Sequence, residues 1–335
     1  MLSGLTRGVA VLIACLAALV SAPAAAAGKK IIIAAPGIPP IFAAVQLYVA
    51  EREGFFKKQG VEVEVRPFDT GTAAARAVLA GDIDLSLSPT NLIINQISNA
   101  NADVVATYGF PSPDWMLGSV DPAKTNCKDV VGQPVGVDAV GAARSIALRI
   151  MLAACPGVKI EEVQQVALSS NTAPAMLAGR LVFGVLHLDD VAILESQGKK
   201  VHTVLAMKQT NPTSHYLLAV ARRDKLKDNR DSHVRVLAAL IGAARFMQDP
   251  NNADRVADDA APTGHSKDIS KLALKQFLDI GFWAADDDGM DRKKLDAMIA
   301  VSVKTGGIMA GKTPVAFGRL VDPSVWRDAN ALVKK

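Results

Sequence analysis

The sequence predicts an α/β protein of two lobes, each a mixed, mostly parallel sheet flanked by helices, with two crossing segments as a hinge. Short apolar runs alternate with helical stretches from Lys30 to about residue 206, which is typical of strands joined by covering helices. A turn-rich segment at 108–114 interrupts this alternation, and a second one at 210–214 ends it. The 335 residues also exceed the size at which a single core usually stops growing.

The elements before the first crossing follow from apolar spacing and from glycine stops. The predicted strands are Ile31–Ala35, Val61–Val65, Asp84–Leu87 and Val104–Ala106. The predicted helices are one that ends at Glu53, then Ala73–Ala80 and Asn91–Asn99.

The alternation restarts after the first crossing. The strands expected there are Val135–Val137, Val163–Ala167, Val182–Leu186 and His202–Ala206, and the helices are Ala143–Ala154, Ala173–Ala178 and Val191–Gln197. After the second crossing a strand at Tyr216–Ala221 precedes a helical tail. We therefore expect lobe 1 to comprise 28–110 and 217–335, and lobe 2 to comprise 111–216.

Residues 1–27 have the pattern of a secretory signal peptide. Arg7 precedes an apolar run that is too short for a membrane span, and small residues follow up to Ala27. The chain is thus expected in the periplasm, with the cleavage position left open. Cys15 ends a possible lipoprotein box, but the residues after it stay apolar, so lipidation is the less favoured alternative.

Composition and cysteine usage limit the possible binding partners and indicate a disulfide. The formal net charge is +4 and no block of Lys and Arg occurs, which makes nucleic acid a poor partner. Cys127 and Cys155 remain after the leader, and an exported pair favours a disulfide. Two unpaired thiols remain the alternative.

Three segments resemble a known family. They are GFFKKQGVEV at 54–63, AGDID at 80–84 and KDVVGQPVGV at 128–137. In this order they resemble periplasmic solute-binding proteins of ABC importers, in the nitrate/taurine/alkanesulfonate or thiamine-pyrimidine-precursor-like group. The resemblance implies a monomeric type II binding protein that closes on a small ligand and passes it to a permease with its ATPase. It implies no reaction and no cofactor.

Ligands of open α/β sheets lie at the carboxyl ends of the strands. Ser88 and Thr90 offer hydroxyl groups at one such end, although a helix cap explains them equally well. Aromatic residues near the crossings, including Trp115, could stack on a planar ligand. The candidate ligand-binding residues of lobe 1 are Pro40, Phe42, Ser88, Thr90, Asn91 and Phe110.

The candidates in lobe 2 follow two further strands. They are Gly141, Ala142, Arg144, Ser145, His187 and Asp189. The turn at 140–145 stands where the resembled family grips an anionic group, and Arg144 could bind a carboxylate or sulfonate in bidentate fashion. An exposed first-turn arginine is the alternative.

His187 and Asp189 emerge at the mouth of the second sheet. No metal is expected, because no second His or Cys lies near in sequence. Asp189 is expected to cap the next helix while His187 faces the cleft. An aspartate that faced the ligand would favour an amine or a pyrimidine over an anion.

The function predicted is capture of a small organic anion, of the sulfonate or aromatic carboxylate type, for an importer. A pyrimidine or other nitrogenous solute is the alternative ligand. An enzyme on the same fold and a sensor subunit are alternatives of another class. The sequence contains no nucleophile elbow and no His-Glu-x-x-His, which disfavours an enzyme of those classes.

Overall fold

Two five-stranded sheets organise the residues described by the computed structural model, which are 30–141, 143–168 and 172–334. The strands are β1 (Ile31–Pro36), β2 (Val63–Phe68), β3 (Leu85–Pro89), β4 (Val104–Phe110), β5 (Met116–Ser119), β6 (Pro134–Val137), β7 (Gln164–Ala167), β8 (Phe183–Leu186), β9 (His202–Ala206) and β10 (Leu217–Arg222).

The two sheets share one topology. Their strand orders are β2-β1-β3-β10-β4 and β7-β6-β8-β5-β9. Each sheet has one antiparallel strand in the fourth place, and that strand comes directly after a crossing: β5 in one sheet and β10 in the other. The remaining pairs are parallel. The predicted fold class is confirmed, and we use lobe 1 and lobe 2 for the bodies on the first and second sheets.

Helices cover both sheets. They are α1 (Val45–Arg52), α2 (Phe55–Lys58), α3 (Gly71–Ala80), α4 (Thr90–Ala100), α5 (Ala143–Leu152), α6 (Thr172–Leu177), α7 (Leu188–Ser196), α8 (Met207–Thr210), α9 (Arg223–Asp228), α10 (Arg230–Gln248), α11 (Ala253–Asp259), α12 (Lys267–Asp279), α13 (Arg292–Lys304), α14 (Phe317–Leu320) and α15 (Pro323–Val333). Side-chain caps fix several starts: Asp291 accepts a hydrogen bond from the Lys294 amide, for example.

The core of lobe 1 lies on both faces of its sheet. Helices α1, α10 and α15 cover one face, while α3, α4 and α13 cover the other. Leu240 and Ile241 of α10 are fully buried, and each such side chain contributes about 1.5–3 kcal/mol. In lobe 2, α5 packs on one face of the sheet and α6 and α7 on the other.

Several boundaries shift by one to three residues from the sequence prediction, and three differences bear on the site. Strand β4 runs on to Phe110, because the segment expected to turn pairs with β10, Tyr108 opposite Ala219. Strand β5 was not predicted, since its four residues give too short a run to detect. Helix α7 begins three residues early, since the Asp190 carboxylate accepts a hydrogen bond from the His187 amide. The carboxylate at this helix start therefore belongs to Asp190, and the expectation that Asp189 caps the helix is wrong.

A disulfide joins Cys127 to Cys155, whose Cα atoms lie 6.1 Å apart. Cys127 begins a 3-10 turn before β6, and Cys155 follows the end of α5. The bond therefore ties the helix to the entry of the strand that precedes it.

Within the three described ranges, no helix has both the length and the apolar character that a bilayer crossing requires. The predicted leader at 1–27 and the lipidation candidate Cys15 lie outside these ranges.

Candidate functional site

A buried polar cluster lies where the two crossings enter their sheets, and we call it the junction cluster. Its members come from both crossings, from α5 and α7 of lobe 2, and from the segment before α12 of lobe 1. They are Asp114, Trp115, Arg144, His187, Asp189, Asp190, Tyr216 and His265.

His187 is bound on two sides. Its Nδ1 lies 2.7 Å from Oδ2 of Asp114, and its ring lies 3.8 Å from that of Trp115, centroid to centroid. Burial alone lowers the pKa of His187, but the attraction and hydrogen bond of Asp114 outweigh it and raise the pKa above its ordinary value. The structure thus favours the imidazolium form against an aromatic face.

Arg144 is buried and paired. Its Nη1 donates to Oδ2 of Asp190 at 2.7 Å and to the Val185 carbonyl at 2.7 Å. Burial alone lowers the pKa of Arg144, and the Asp190 carboxylate reverses this into a net rise. The guanidinium carbon lies 5.9 Å from the Trp115 ring centroid. The alternative of an exposed first-turn arginine is therefore wrong.

Asp189 connects the lobes. Its Oδ2 lies 3.1 Å from Nε2 of His265, which belongs to the helical tail of lobe 1. Burial raises the pKa of Asp189, but the hydrogen bond from His265 and the nearby charges of His187, His265 and Arg144 together outweigh it, so the net shift is downward. Beside this contact, Leu188 and Ala192 of α7 pack into the apolar core of lobe 1. The Asp189–His265 contact therefore joins the start of α7 to the segment before α12.

Asp114 carries an unused acceptor. Its side chain is 1% exposed, and its Oδ1 has no hydrogen-bond partner among the residues that the structure describes. A buried acceptor without a donor costs about 1–3 kcal/mol, so a donor or cation is expected here. Above it, Tyr216 packs edge-on to Trp115 with centroids 6.1 Å apart. Burial raises the pKa of Tyr216, with Asp114 and Asp189 adding to the rise, so its phenol stays neutral.

The hydroxyl candidates of lobe 1 bond to the interior of that lobe, and Thr90 meets the junction cluster at the main-chain carbonyl of Tyr216. The Ser88 hydroxyl pairs with that of Ser86 at 2.8 Å. The Thr90 hydroxyl donates to the Tyr216 carbonyl at 3.1 Å and lies 2.9 Å from Nδ1 of His215. Both serine and threonine are fully buried, so their hydrogen bonds serve lobe 1 itself. Asn91 is exposed on α4.

The apolar candidates of lobe 1 lie in its core. Phe42 packs on Phe277 with centroids 5.4 Å apart, and Phe110 packs on Phe282 at 5.7 Å. Pro40 is also buried. Of these, Phe42 comes nearest to the junction cluster, since its ring stacks 6.1 Å from His265.

The turn before α5 already holds a carboxylate. The Asp138 oxygens accept from the Arg144 amide at 3.2 Å, and the Ser145 hydroxyl accepts from the Gly141 amide at 2.9 Å. Ser145 also donates to Oε1 of Gln165 at 2.5 Å. A first-turn amide that the resemblance assigned to an anionic ligand is thus bound by the protein's own Asp138. Ala142 lies outside the described residues.

Sequence reasoning missed four members of the junction cluster. Asp114 and Tyr216 lie in the crossings. A charged or aromatic residue within a turn-rich segment was the sequence feature that could have marked them as candidates. Asp190 was overlooked beside Asp189, and only the true start of α7 separates their roles. His265 stands 76 residues from its partner, and no spacing rule links them.

The strand orders and the paired crossings define the class: this is a periplasmic-binding-protein fold. A family model described as NMT1/THI5 like matches residues 42–253. The chain belongs to this NMT1/THI5-like family. No curated protein matches the sequence.

Several solved structures are similar. The periplasmic sulfonate-binding protein SsuA of Methylobacillus flagellatus KT has a TM-score of 0.68 and 16% identity, over 92% of this chain and 96% of that one. The aliphatic sulphonate binding protein SsuA of Escherichia coli has a TM-score of 0.67 and 15% identity, over 88% and 92%. The nitrate-binding protein NrtA of Synechocystis PCC 6803 has a TM-score of 0.65 and 12% identity, over 92% and 89%. At these identities the likeness establishes the fold.

Proposed function

We propose that this protein is the periplasmic solute-binding subunit of an ABC importer, which captures a small solute between its lobes and delivers it to a permease. The observation that carries the proposal is the junction cluster, to which both lobes and both crossings contribute. Its contact between Asp189 and His265 gives the lobes a polar link that depends on their closure.

The mechanism is closure about the two crossings, with 28–110 and 217–335 moving against 111–216. A solute held between the lobes stabilises the closed state by its higher affinity for that state. Trp115 and Tyr216 offer aromatic rings to a planar solute. The permease then recognises the closed arrangement of the lobes.

The solute we propose is a small organic anion, of the sulfonate or aromatic carboxylate type. Arg144 and His187 both have raised pKa values, which favours positive charge on both at neutral pH. The names of similar proteins include sulfonate and nitrate binders. The paired aspartates oppose this choice, and the free Oδ1 of Asp114 favours a second candidate, a nitrogenous solute that donates hydrogen bonds.

Matched solutes separate the two candidates. Benzenesulfonate and benzoate present an anion on a benzene ring, whereas benzamidine and 4-aminopyrimidine present donors on a ring of similar size. A ligand at 100 times its Kd stabilises the protein by about 2.7 kcal/mol, which shifts the melting temperature visibly. A shift with the first pair alone supports the anion, and a shift with the second alone supports the nitrogenous solute. No shift with any small solute, in a wide panel that includes these, contradicts the proposed function.

Two further observations test the importer role. Genes for a permease and an ATPase beside this gene support it, whereas a gene for a membrane receptor supports a sensor subunit. Mass spectrometry of a bound solute after prolonged incubation should return the same compound, and a chemically altered one would indicate an enzyme.

A further inference from the structure

The junction cluster combines buried carboxylates with an imidazole, which are groups that bind cations. One ligand atom each of Asp114, His187 and Asp189 lies within 4.8 Å of the other two. Asp114 and His187 are more than nine-tenths buried. Arg144 forms its ion pair with Asp190, the third carboxylate of the cluster.

The unused oxygen of Asp114 is a second and independent observation. Oδ2 binds His187, while Oδ1 finds no partner in the described part of the chain although the side chain is 1% exposed. Such an acceptor in a protein interior is rare unless an ion, a ligand or a water satisfies it. It therefore indicates a ligand at this point.

The donor set selects the kind of ion. Calcium and magnesium take six or more oxygen ligands, whereas one imidazole with carboxylates suits zinc and its neighbours. Bonds of about 2 Å from zinc to nitrogen and oxygen hold the ligand atoms within about 3–4 Å of one another. The three ligand atoms, within 4.8 Å of one another, must therefore draw together when the ion binds.

We propose that Asp114, His187 and Asp189 bind a divalent transition-metal ion of the zinc type, which serves as the counter-ion for an anionic solute. This inference rests on the proposed function, because it names what neutralises the aspartates when an anion enters. The ion displaces to solvent the proton that His187 Nδ1 shares with Asp114, and it binds the free Oδ1 of Asp114. His265 holds the Asp189 carboxylate from the other lobe and is a positioning residue.

Calorimetric titration of the chelator-treated full chain with zinc chloride tests the site. One ion should bind per chain. D114N and H187Q should each weaken zinc binding by at least about 100-fold, because loss even of an outer-shell partner costs 10–100-fold. D82N and H202Q are matched controls, since Asp82 is exposed and His202 lies on β9, away from the cluster, and both should bind as wild type does. Absence of binding, or equal binding by D114N and H187Q, overturns the proposal.

A measurement on the unaltered protein guards against variants that fail to fold. X-ray absorption of the zinc-loaded chain should give a first shell of nitrogen and oxygen with scattering from an imidazole ring. A first shell of oxygen alone overturns the assignment of His187.

Benzenesulfonate titrations with and without zinc separate this inference from the proposed function. The metal should raise benzenesulfonate affinity by about tenfold or more, within the usual range of coupled binding. Equal affinity in zinc and in chelator overturns the counter-ion role and leaves the importer function standing. Zinc binding by a chain to which no solute of the panel binds leaves the metal site standing and contradicts the proposed function.

Discussion

Strands β3 and β8 occupy the same place in their two sheets, and each runs directly into a helix, yet their polar side chains have different partners. After β3, the Ser88 and Thr90 hydroxyls bond within lobe 1 or to the strand entering it. After β8, His187 and Asp189 bond to the first crossing and to the tail of lobe 1. Equivalent positions in a repeated topology therefore bond within one lobe and between elements of both lobes in the other.

The lobes also differ in what stabilises them. Lobe 2 contains the disulfide between Cys127 and Cys155. Two deeply buried histidines pack against lobe 1, His215 at the end of the second crossing and His233 on α10, and burial lowers the pKa of each to about 4. Reduction should consequently weaken lobe 2, and acid should weaken lobe 1.

The largest effect expected is loss of the disulfide. C127S/C155S should lower the free energy of unfolding by about 3–4 kcal/mol, because the bond closes a loop of 28 residues in the unfolded chain. Calorimetry with and without dithiothreitol measures it. Reductant should shift wild type toward the variant and leave the variant unchanged; a variant as stable as oxidised wild type contradicts this account of lobe 2.

For each of two buried histidines taken singly, acid should have an effect nearly as large. The folded pKa of His215 and of His233, about 4, lies below the ordinary value of 6.5, so the folded state keeps both neutral while the unfolded state takes up protons. Stability is full above pH 6.5 and falls as pH drops from 6.5 to 4, by about 3 kcal/mol for each histidine.

Urea unfolding at several pH values measures this slope. H233L should flatten it, because neither ring nitrogen of His233 has a hydrogen-bond partner in the ranges that the structure covers. H202Q, on a strand of lobe 2, should keep the wild-type slope. An unchanged slope in H233L would show that the acid sensitivity lies elsewhere.

The comparison of β3 with β8 predicts a difference in solute affinity. H187Q should weaken binding of the solute found by the panel by about 30-fold, as expected for a lost charge-assisted hydrogen bond. S88A should change the affinity by less than about twofold, since its hydroxyl is bonded to Ser86. Isothermal titration compares them, and equal losses in both variants would remove the distinction between the two lobes.

The smallest effect concerns the contact between α7 and α12. Nε2 of Gln276 donates to Oε2 of Glu195 at 3.3 Å across the lobes. Q276A should lower solute affinity by about twofold, because a surface hydrogen bond contributes about 0.5 kcal/mol to the closed state. Lys275, on the same helix, pairs with Asp279 within α12. The control variant K275A should therefore leave the affinity unchanged. A larger loss in K275A than in Q276A would contradict the role of this contact.

The sequence predicted the fold well and the site in part. Periodicity located β1, α3 and β9, because local apolar patterns decide such elements. The rule that ligands lie at the carboxyl ends of strands selected His187 and Asp189 of the junction cluster. It selected Ser88 equally, because the hydrogen bond of Ser88 to Ser86 depends on the surrounding sheet. Asp114 and His265 meet the cluster through tertiary packing, and no local pattern carries that information.

The position of β10 constrains the order in which the chain can fold. This strand is made after all of lobe 2, yet it lies between β3 and β4 and pairs with both. During synthesis, the first four strands must therefore wait with two unpaired edges until the ribosome has released more than a hundred further residues. Lobe 2 is continuous in the chain and can mature during that interval. A chain truncated before Leu217 should accordingly aggregate through those edges, and the interval before β10 is made is when the folding chain is most exposed to aggregation.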